Sequence, residues 1–227
     1  MVDPHRQFKD AAYNILARLG SALSSPKRLE LLNLLEQAPK TVETLAIGAQ
    51  LSVANASQHL RALKAAGLLA STKTGLHVEY RLANPRVQAL LACLEGMAGE
   101  LYADLRETAR RYYEDHQALE AIDAADLKQR LEAREVVLID VRPAEEYAAG
   151  HIQGAVNVPL DQLPAWSRRL PKGQTVVAYC RGPYCVLSVR AVLMLKGAHR
   201  RALRLADGVR DWRSRGYRAK AGAPKAA

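Results

Sequence analysis

Cysteine, tryptophan and phenylalanine are scarce in this chain: its 227 residues include three, two and one of them. An odd, low number of thiols (Cys93, Cys180 and Cys185) argues against a disulfide framework and fits a reducing compartment. Long apolar runs are missing as well, and none approaches the roughly 20 residues of a membrane span. The first twenty residues interleave Asp3, His5, Arg6, Lys9, Asp10 and Arg18 with apolar ones, so no secretory leader is expected. These absences predict a cytoplasmic protein without a membrane partner. The long helical segment after Pro85 offers Glu95, Glu100 and Asp104 but no nearby His, and no metal or cofactor is expected anywhere in the chain.

What is abundant is apolar and basic. Hydrophobic residues make up 49% of the chain, enough for two cores, and its length suits two domains of about 100 residues each. The net charge of +10 favours a polyanionic partner, nucleic acid foremost, although Lys and Arg are spread through both halves.

The spacing predicts helices in the first half: Phe8–Leu23, then Pro26 to about Ala38, then a helix capped by Thr41, then Ser52–Ala66 stopped by Gly67. The period then shortens to two. Leu68–Lys73 and Leu76–Leu82 read as a hairpin around Thr74-Gly75, and Asn84-Pro85 opens one long helix reaching to about Tyr113. The second half changes type: apolar strands at Val136–Val141, Thr175–Cys180 and Ala202–Leu205 alternate with helices at 124–132, 187–196 and 209–215. That order implies a parallel sheet covered on both faces. The expected division is 1–115, a linker over 116–121, 122–220, and a flexible tail over 221–227.

Four helices followed by a hairpin is the order of a winged helix-turn-helix. On the expected second helix of that motif, Val53, Ala56, Leu60 and Leu63 share the buried face. Asn55, Ser57, Gln58, His59, Arg61 and Lys64 are left to read base edges and phosphates, with Lys73, His77 and Arg81 on the hairpin as phosphate or minor-groove contacts. The stretch from Ser57 to Leu69, SQHLRALKAAGLL, resembles the signature of ArsR-family repressors over about residues 10–113. The resemblance implies a homodimer joined through the first and last helices of the domain. It also implies an inverted-repeat operator in double-stranded DNA, and release when an inducer arrives. Many family members carry a Cys-Val-Cys metal trap on the supporting helix; here the matching stretch is Thr41-Val42-Glu43-Thr44. Cys93, beside Leu90, Leu94 and Met97, is expected to be a buried, inert thiol.

The sharpest chemical motif is Tyr179-Cys180-Arg181-Gly182-Pro183-Tyr184-Cys185-Val186, between a strand and a helix. Inward-pointing backbone N–H groups and Arg181 are expected to lower the Cys180 thiol pKa and to hold an anion or persulfide there. An Arg six positions after the cysteine would suit phosphate chemistry; Val186 stands there instead. Asp140-Val141-Arg142, Glu145-Glu146-Tyr147, the run GHIQGAVNVP from Gly150 to Pro159, Asp207-Gly208 and Trp212 together resemble a rhodanese domain over about 122–217. The fold class is therefore two domains: a mainly α winged helix-turn-helix, then an α/β rhodanese-like domain with a central parallel sheet. The resemblance implies sulfane-sulfur transfer through a Cys180 persulfide. Asp140 and His151 are expected to fix loops, and Arg142 to serve as scaffold ion pair or substrate anchor. Cys185 is expected to attack the Cys180 persulfide and close a bridge.

Joined, the halves suggest a repressor that senses reactive sulfur, its small donor being thiosulfate, a persulfide or a polysulfide. Two rivals stay open: a working sulfurtransferase whose DNA-binding domain only autoregulates it, and a soft-metal or metalloid sensor using Cys180 and Cys185.

Overall fold

The computed structural model describes residues 3–75, 77–115, 121–171 and 173–223. Leu76 of the expected hairpin, residues 116–120 of the expected linker and 224–227 of the expected tail lie outside the described residues. The chain divides into two compact units, Met1–Ala98 and Gly99–Ala227.

The first unit begins with α1 (Pro4–Leu23), started by Pro4 and by the Asp3 carboxylate, which accepts from the His5 amide. Then α2 (Pro26–Gln37) buries Leu31, Leu32, Leu34 and Leu35. Its Arg28 reaches back to the Ala22 and Ser21 carbonyls at 2.6 and 2.7 Å, two of the acceptors that the end of α1 leaves open. Next come β1 (Lys40–Thr41), α3 (Val42–Gly48), α4 (Val53–Ala65), β2 (Leu69–Thr74), β3 (His77–Leu82) and α5 (Pro85–Leu101). Thr41 caps α3 by accepting from the Thr44 amide, and Ser52 caps α4 by accepting from Asn55. Gly67, at φ +75°, turns the chain out of α4 in the left-handed conformation that glycine adopts without strain. β2 and β3 pair antiparallel from Leu69↔Leu82 to Thr74↔His77. β1 adds a third strand against β3, at Lys40↔Tyr80 and Thr41↔Glu79.

The expected single helix from Pro85 to Tyr113 is two helices. α5 ends at Leu101 and α6 (Ala103–Asp115) starts after Tyr102. Arg106 of α6 donates back to the Glu100 carbonyl at 3.1 Å and to that of Gly99, satisfying acceptors that the break exposes. α6 makes its contacts in the second unit.

That unit continues with β4 (Ala121–Ile122), α7 (Ala124–Glu132), β5 (Val136–Asp140), α8 (Ala144–Ala149), β6 (His151–Ile152), β7 (Val156–Asn157), α9 (Leu163–Ser167), β8 (Thr175–Tyr179), α10 (Leu187–Gly197), β9 (Ala202–Leu205), α11 (Val209–Ser214) and β10 (Ala219–Lys220). Its sheet runs β4-β9-β8-β5-β7, parallel throughout, with β6 and β10 as a separate antiparallel pair. Each face carries its own core. Strand alternation sends Val177 and Tyr179 of β8 to the layer with Leu127, Ile152 and Trp212. The same alternation sends Val176, Ala178 and Cys180 to the layer with Val192 and Leu195 of α10. The period of two thus decides that Cys180 emerges beneath α10. Among the described residues no helix is long and apolar enough to cross a membrane.

Candidate functional site

In the first unit α3 and α4 stand as a helix-turn-helix, with the β2–β3 hairpin as wing. Ala56, Leu60 and Leu63 bury one face of α4. Asn55, Gln58, Arg61 and Lys64 are exposed, and Ser57 and His59 half-buried. On the wing Lys73, His77 and Arg81 are exposed. Lys64 ties helix to wing through the Ser71 hydroxyl at 2.6 Å. Val53, expected on the buried face, is instead 47% exposed. It is the first residue of α4, placed with the exposed polar set, and its methyls are of the kind that pack on a thymine methyl. No residue spacing distinguishes that position from a core one.

Cys93 also departs from expectation, since it is exposed. α5 buries only Val87 and Leu91, one turn apart, and leaves Leu90, Leu94, Met97 and Leu101 in the open. α1 likewise exposes Phe8, Tyr13, Ile15, Leu16 and Leu19.

In the second unit the cysteine loop leaves the carboxyl end of β8, the end of a parallel sheet where open α/β folds build their sites. Cys180 is 2% exposed, and its sulfur lies 3.3 Å from both the Cys185 carbonyl oxygen and the Ser188 hydroxyl, either of which its single proton can reach. Burial pushes this thiol well above the ordinary range, and the Cys185 sulfur beside it adds to the effect. The expected activation of Cys180 is thus not what the resting loop holds. The shift at Cys185 runs the other way: its pKa is brought down to about 6, chiefly by a hydrogen bond from the Cys180 thiol. The Arg181 charge and the backbone of Arg181 and Leu187 help, against the opposing effect of burial.

The residues around the loop hold it. Arg181 forms a two-pronged ion pair with Glu146 of α8, with contacts of 2.8 and 3.0 Å, and the carboxylate is fully buried. Gly182, at φ +151°, sits where an L side chain would be strained. A Cβ on Gly208 would come within 2.3 Å of the Arg181 carbonyl oxygen, so the Asp207-Gly208 pair lets the next segment lie directly on the loop backbone. Pro183, Tyr184 and Val186 form its outer side. Arg142 is a scaffold ion pair: its Nη2 lies 2.6 Å from Asp140 and 2.7 Å from the Gly150 carbonyl, with both side chains fully buried. His151 stacks on Tyr147, ring centroids 3.7 Å apart, and its Nδ1 lies 2.9 Å from the Tyr147 carbonyl. These two motifs shape the sheet end and touch neither sulfur.

Three contributors have no marker in the motifs. Ser188 is the buried hydroxyl under Cys180. Arg204 is a cation inside the apolar strand β9, and that oddity is a signal the sequence does carry. Its guanidinium carbon lies 3.9 Å from the centre of the Tyr113 ring, and its Nε has no hydrogen-bond partner among the described residues. Tyr113 of α6 donates its hydroxyl to the Pro183 carbonyl, so α6 is fastened to the cysteine loop. Between them lies a cleft of about 200 Å³, walled by Leu105, Ala109 and Tyr112 on α6 and by Pro183, Tyr184 and Cys185 on the loop.

Comparison with known proteins treats the halves separately and together. The model of the rhodanese-like domain matches residues 123–215, and that of the bacterial regulatory protein, arsR family, matches 25–71. Over 216 residues, 95% of each chain, the protein is 40% identical to an HTH-type transcriptional regulator, Rv0324, of Mycobacterium tuberculosis. Its second half is 35% identical over 96 residues to a sulfurtransferase of Allochromatium vinosum, covering 42% of this chain and 89% of that one. Among solved structures it is similar to the homodimeric winged helix-turn-helix DNA-binding domain of a possible ArsR-family transcriptional regulator from Mycobacterium bovis. That match is 33% identical and covers 46% of this chain and 93% of the other, with a TM-score of 0.41.

Proposed function

We propose that this chain, which belongs to the ArsR family of helix-turn-helix transcriptional regulators and carries a C-terminal rhodanese-like domain, is a homodimeric repressor whose hold on operator DNA is set by sulfane sulfur taken up at Cys180 and Cys185. The observation that carries the reading is the thiol pair itself. Cys180 and Cys185 face each other across a loop whose arginine is already committed to Glu146, with the Cys180 thiol buried and its sulfur 3.3 Å from the Cys185 carbonyl oxygen. Such a pair is suited to accepting one sulfur and then closing on itself, more than to repeated turnover with the solvent. The supporting helix has no cysteine pair to do the sensing in its place.

The direct test is fluorescence anisotropy on the DNA upstream of the protein's own gene, before and after polysulfide, with intact mass on the same samples. Loss of affinity together with added sulfur, or with a two-hydrogen loss on the Cys180–Cys185 peptide, supports the sensor. A loaded loop with unchanged affinity points to a sulfurtransferase instead.

Two further results are expected from the first unit. Gln58→Ala should cost about 1–3 kcal/mol on the cognate operator and relax preference at one base pair, as loss of a base-edge contact does. Lys73→Ala should weaken all sequences alike and reduce the salt slope by about one. Competition anisotropy over salt and single-base operator variants distinguishes them; a uniform loss for Gln58→Ala would remove it from the reading set. The apolar faces of α1 and α5 suit a second copy, as expected for the dimer. Leu94→Glu should shift the protein to monomer in sedimentation velocity, and a dimer that survives that charge is held elsewhere.

A further inference from the structure

We propose that the second unit binds a nucleotide in a cleft at the amino end of its sheet, the end away from Cys180. The site is separate from the sulfur-sensing reading and does not rest on it.

The cleft holds about 910 Å³, within the range of about 300–1,000 Å³ usual for small-molecule sites. Its place follows from the topology. Val136 opens β5 and Gln174 precedes β8, while Cys180 leaves the opposite end of β8. The walls come from the ends of α7 and α11 and from the turn at Gln153-Gly154. Leu131, Val136 and Trp212 supply apolar surface, and the half-buried Tyr217 ring stands edge-on to Trp212, centroids 4.8 Å apart.

The rim is basic. Arg215 is held by Asp207 at 3.0 Å and Lys128 by Glu132 at 3.6 Å, but Arg134 and Arg218 are exposed and form no ion pair among the described residues. Helix dipoles alone do not account for them, because α7 and α11 already carry Arg130 and Arg213 in their last turns. Arg134 is also held at a cost. At φ +58° it closes α7, its amide donating to the Leu131 carbonyl at 3.2 Å and that of Glu135 to the Arg130 carbonyl at 2.9 Å. Glycine takes such a position without strain, as Gly67 does after α4 and Gly216 after α11; arginine does not. Gln50 and His199 share the conformation, but of these three Arg134 is the one in the wall of the cleft. Strain of this kind persists where a site uses the side chain.

The ligand class follows from three kinds of group. Guanidinium forks pair with phosphate oxygens. The amides of Gln153 and Gln174 each offer a donor and an acceptor, which suits the edge of a heterocyclic base. The apolar surface takes the ring. A bare anion leaves amides and apolar surface unused, and a benzene-sized ring needs only about 150 Å³. A nucleoside monophosphate uses all three.

The test is isothermal titration calorimetry of the full chain with adenosine 5′-monophosphate, adenosine and ribose 5-phosphate. Tryptophan emission, to which Trp212 contributes, is the second readout. The monophosphate should bind at least about tenfold more tightly than either fragment, roughly what one charge-assisted hydrogen bond is worth. Arg134→Gly should weaken it by about tenfold or more without lowering the melting temperature, since glycine suits the left-handed turn. That combination separates binding from folding. Arg218→Glu should erase the preference for the monophosphate over adenosine. No saturable signal below about 1 mM overturns the proposal. Equal affinity for the monophosphate and ribose 5-phosphate also overturns it, leaving a patch for any anion. So does equal affinity for the monophosphate and adenosine, or full affinity in Arg134→Gly.

Discussion

Cys180→Ser is expected to stay on the operator at polysulfide doses that weaken wild-type binding by roughly five- to 150-fold, the usual span of coupling between two sites. The expectation follows from the stoichiometry of the loop. With Cys180 gone, Cys185 can still accept a sulfur, but no second thiol is within reach to close the bridge. The bridge is what would move the backbone: Cys180 and Cys185 flank Pro183, and the Pro183 carbonyl is where Tyr113 fastens α6. α6 in turn follows α5 after a single residue, Tyr102. The pH dependence gives a second handle on the same variants. Sulfur uptake needs a thiolate, so the wild-type rate should rise as pH increases through about 6, the Cys185 value, and level off above neutrality. In Cys185→Ser only Cys180 remains, and burial holds that thiol protonated well past the ordinary range. Its uptake profile should therefore move to the alkaline side of an ordinary thiol. Stopped-flow loading at a series of pH values, read by mass, measures both. Release of Cys180→Ser from DNA at the wild-type dose would mean that a persulfide on Cys185 alone suffices.

Much of this was readable from residue order, and the exceptions share a cause. The cap at Thr41, the turn at Gly67 and the apolar strand that leads into Cys180 are local: each depends on a few neighbours, and the strand closes at Tyr179, one residue short of the predicted end. What was missed depends on partners far along the chain. β1 exists because Lys40 and Thr41 meet Tyr80 and Glu79, and two residues carry no period of their own. The break at Tyr102 has neither proline nor glycine at it, so the apolar pattern of α5 and the charged, amphipathic pattern of α6 read as one helix. The motif placed both cysteines in the loop but could not order their pKa values, because the order is set by burial and by which sulfur donates to the other. Arg181 shows the same limit: its charge was legible, its commitment to Glu146, thirty-five residues away, was not.

Asp140→Ala should cost the second unit about 3–5 kcal/mol, the usual penalty for removing one partner of a buried ion pair. Asp140 is fully buried, and it accepts from the Arg142 backbone at 3.0 Å as well as from the guanidinium at 2.6 and 2.9 Å. Without the carboxylate, a charge 1% exposed keeps its desolvation penalty and loses the contact that offsets it. The loss is large against a typical domain stability of about 5–15 kcal/mol. Both tryptophans, Trp166 and Trp212, lie in this unit, so their fluorescence reports its unfolding. With a urea m-value of about 2 kcal/mol/M, the midpoint should fall by roughly 2 M. The double variant Asp140→Leu with Arg142→Met should recover much of that loss, because it removes both charges from the interior at once. It should not recover all of it, since the Arg142 guanidinium also holds the Gly150 carbonyl at 2.7 Å. If the single variant shifts the midpoint by less than about 0.5 M, the pair is not what fixes the end of β5 beside the cysteine loop. The rhodanese half would then owe its rigidity there to Asn157, which donates to the Asp140 and Arg142 carbonyls at 3.1 and 2.9 Å.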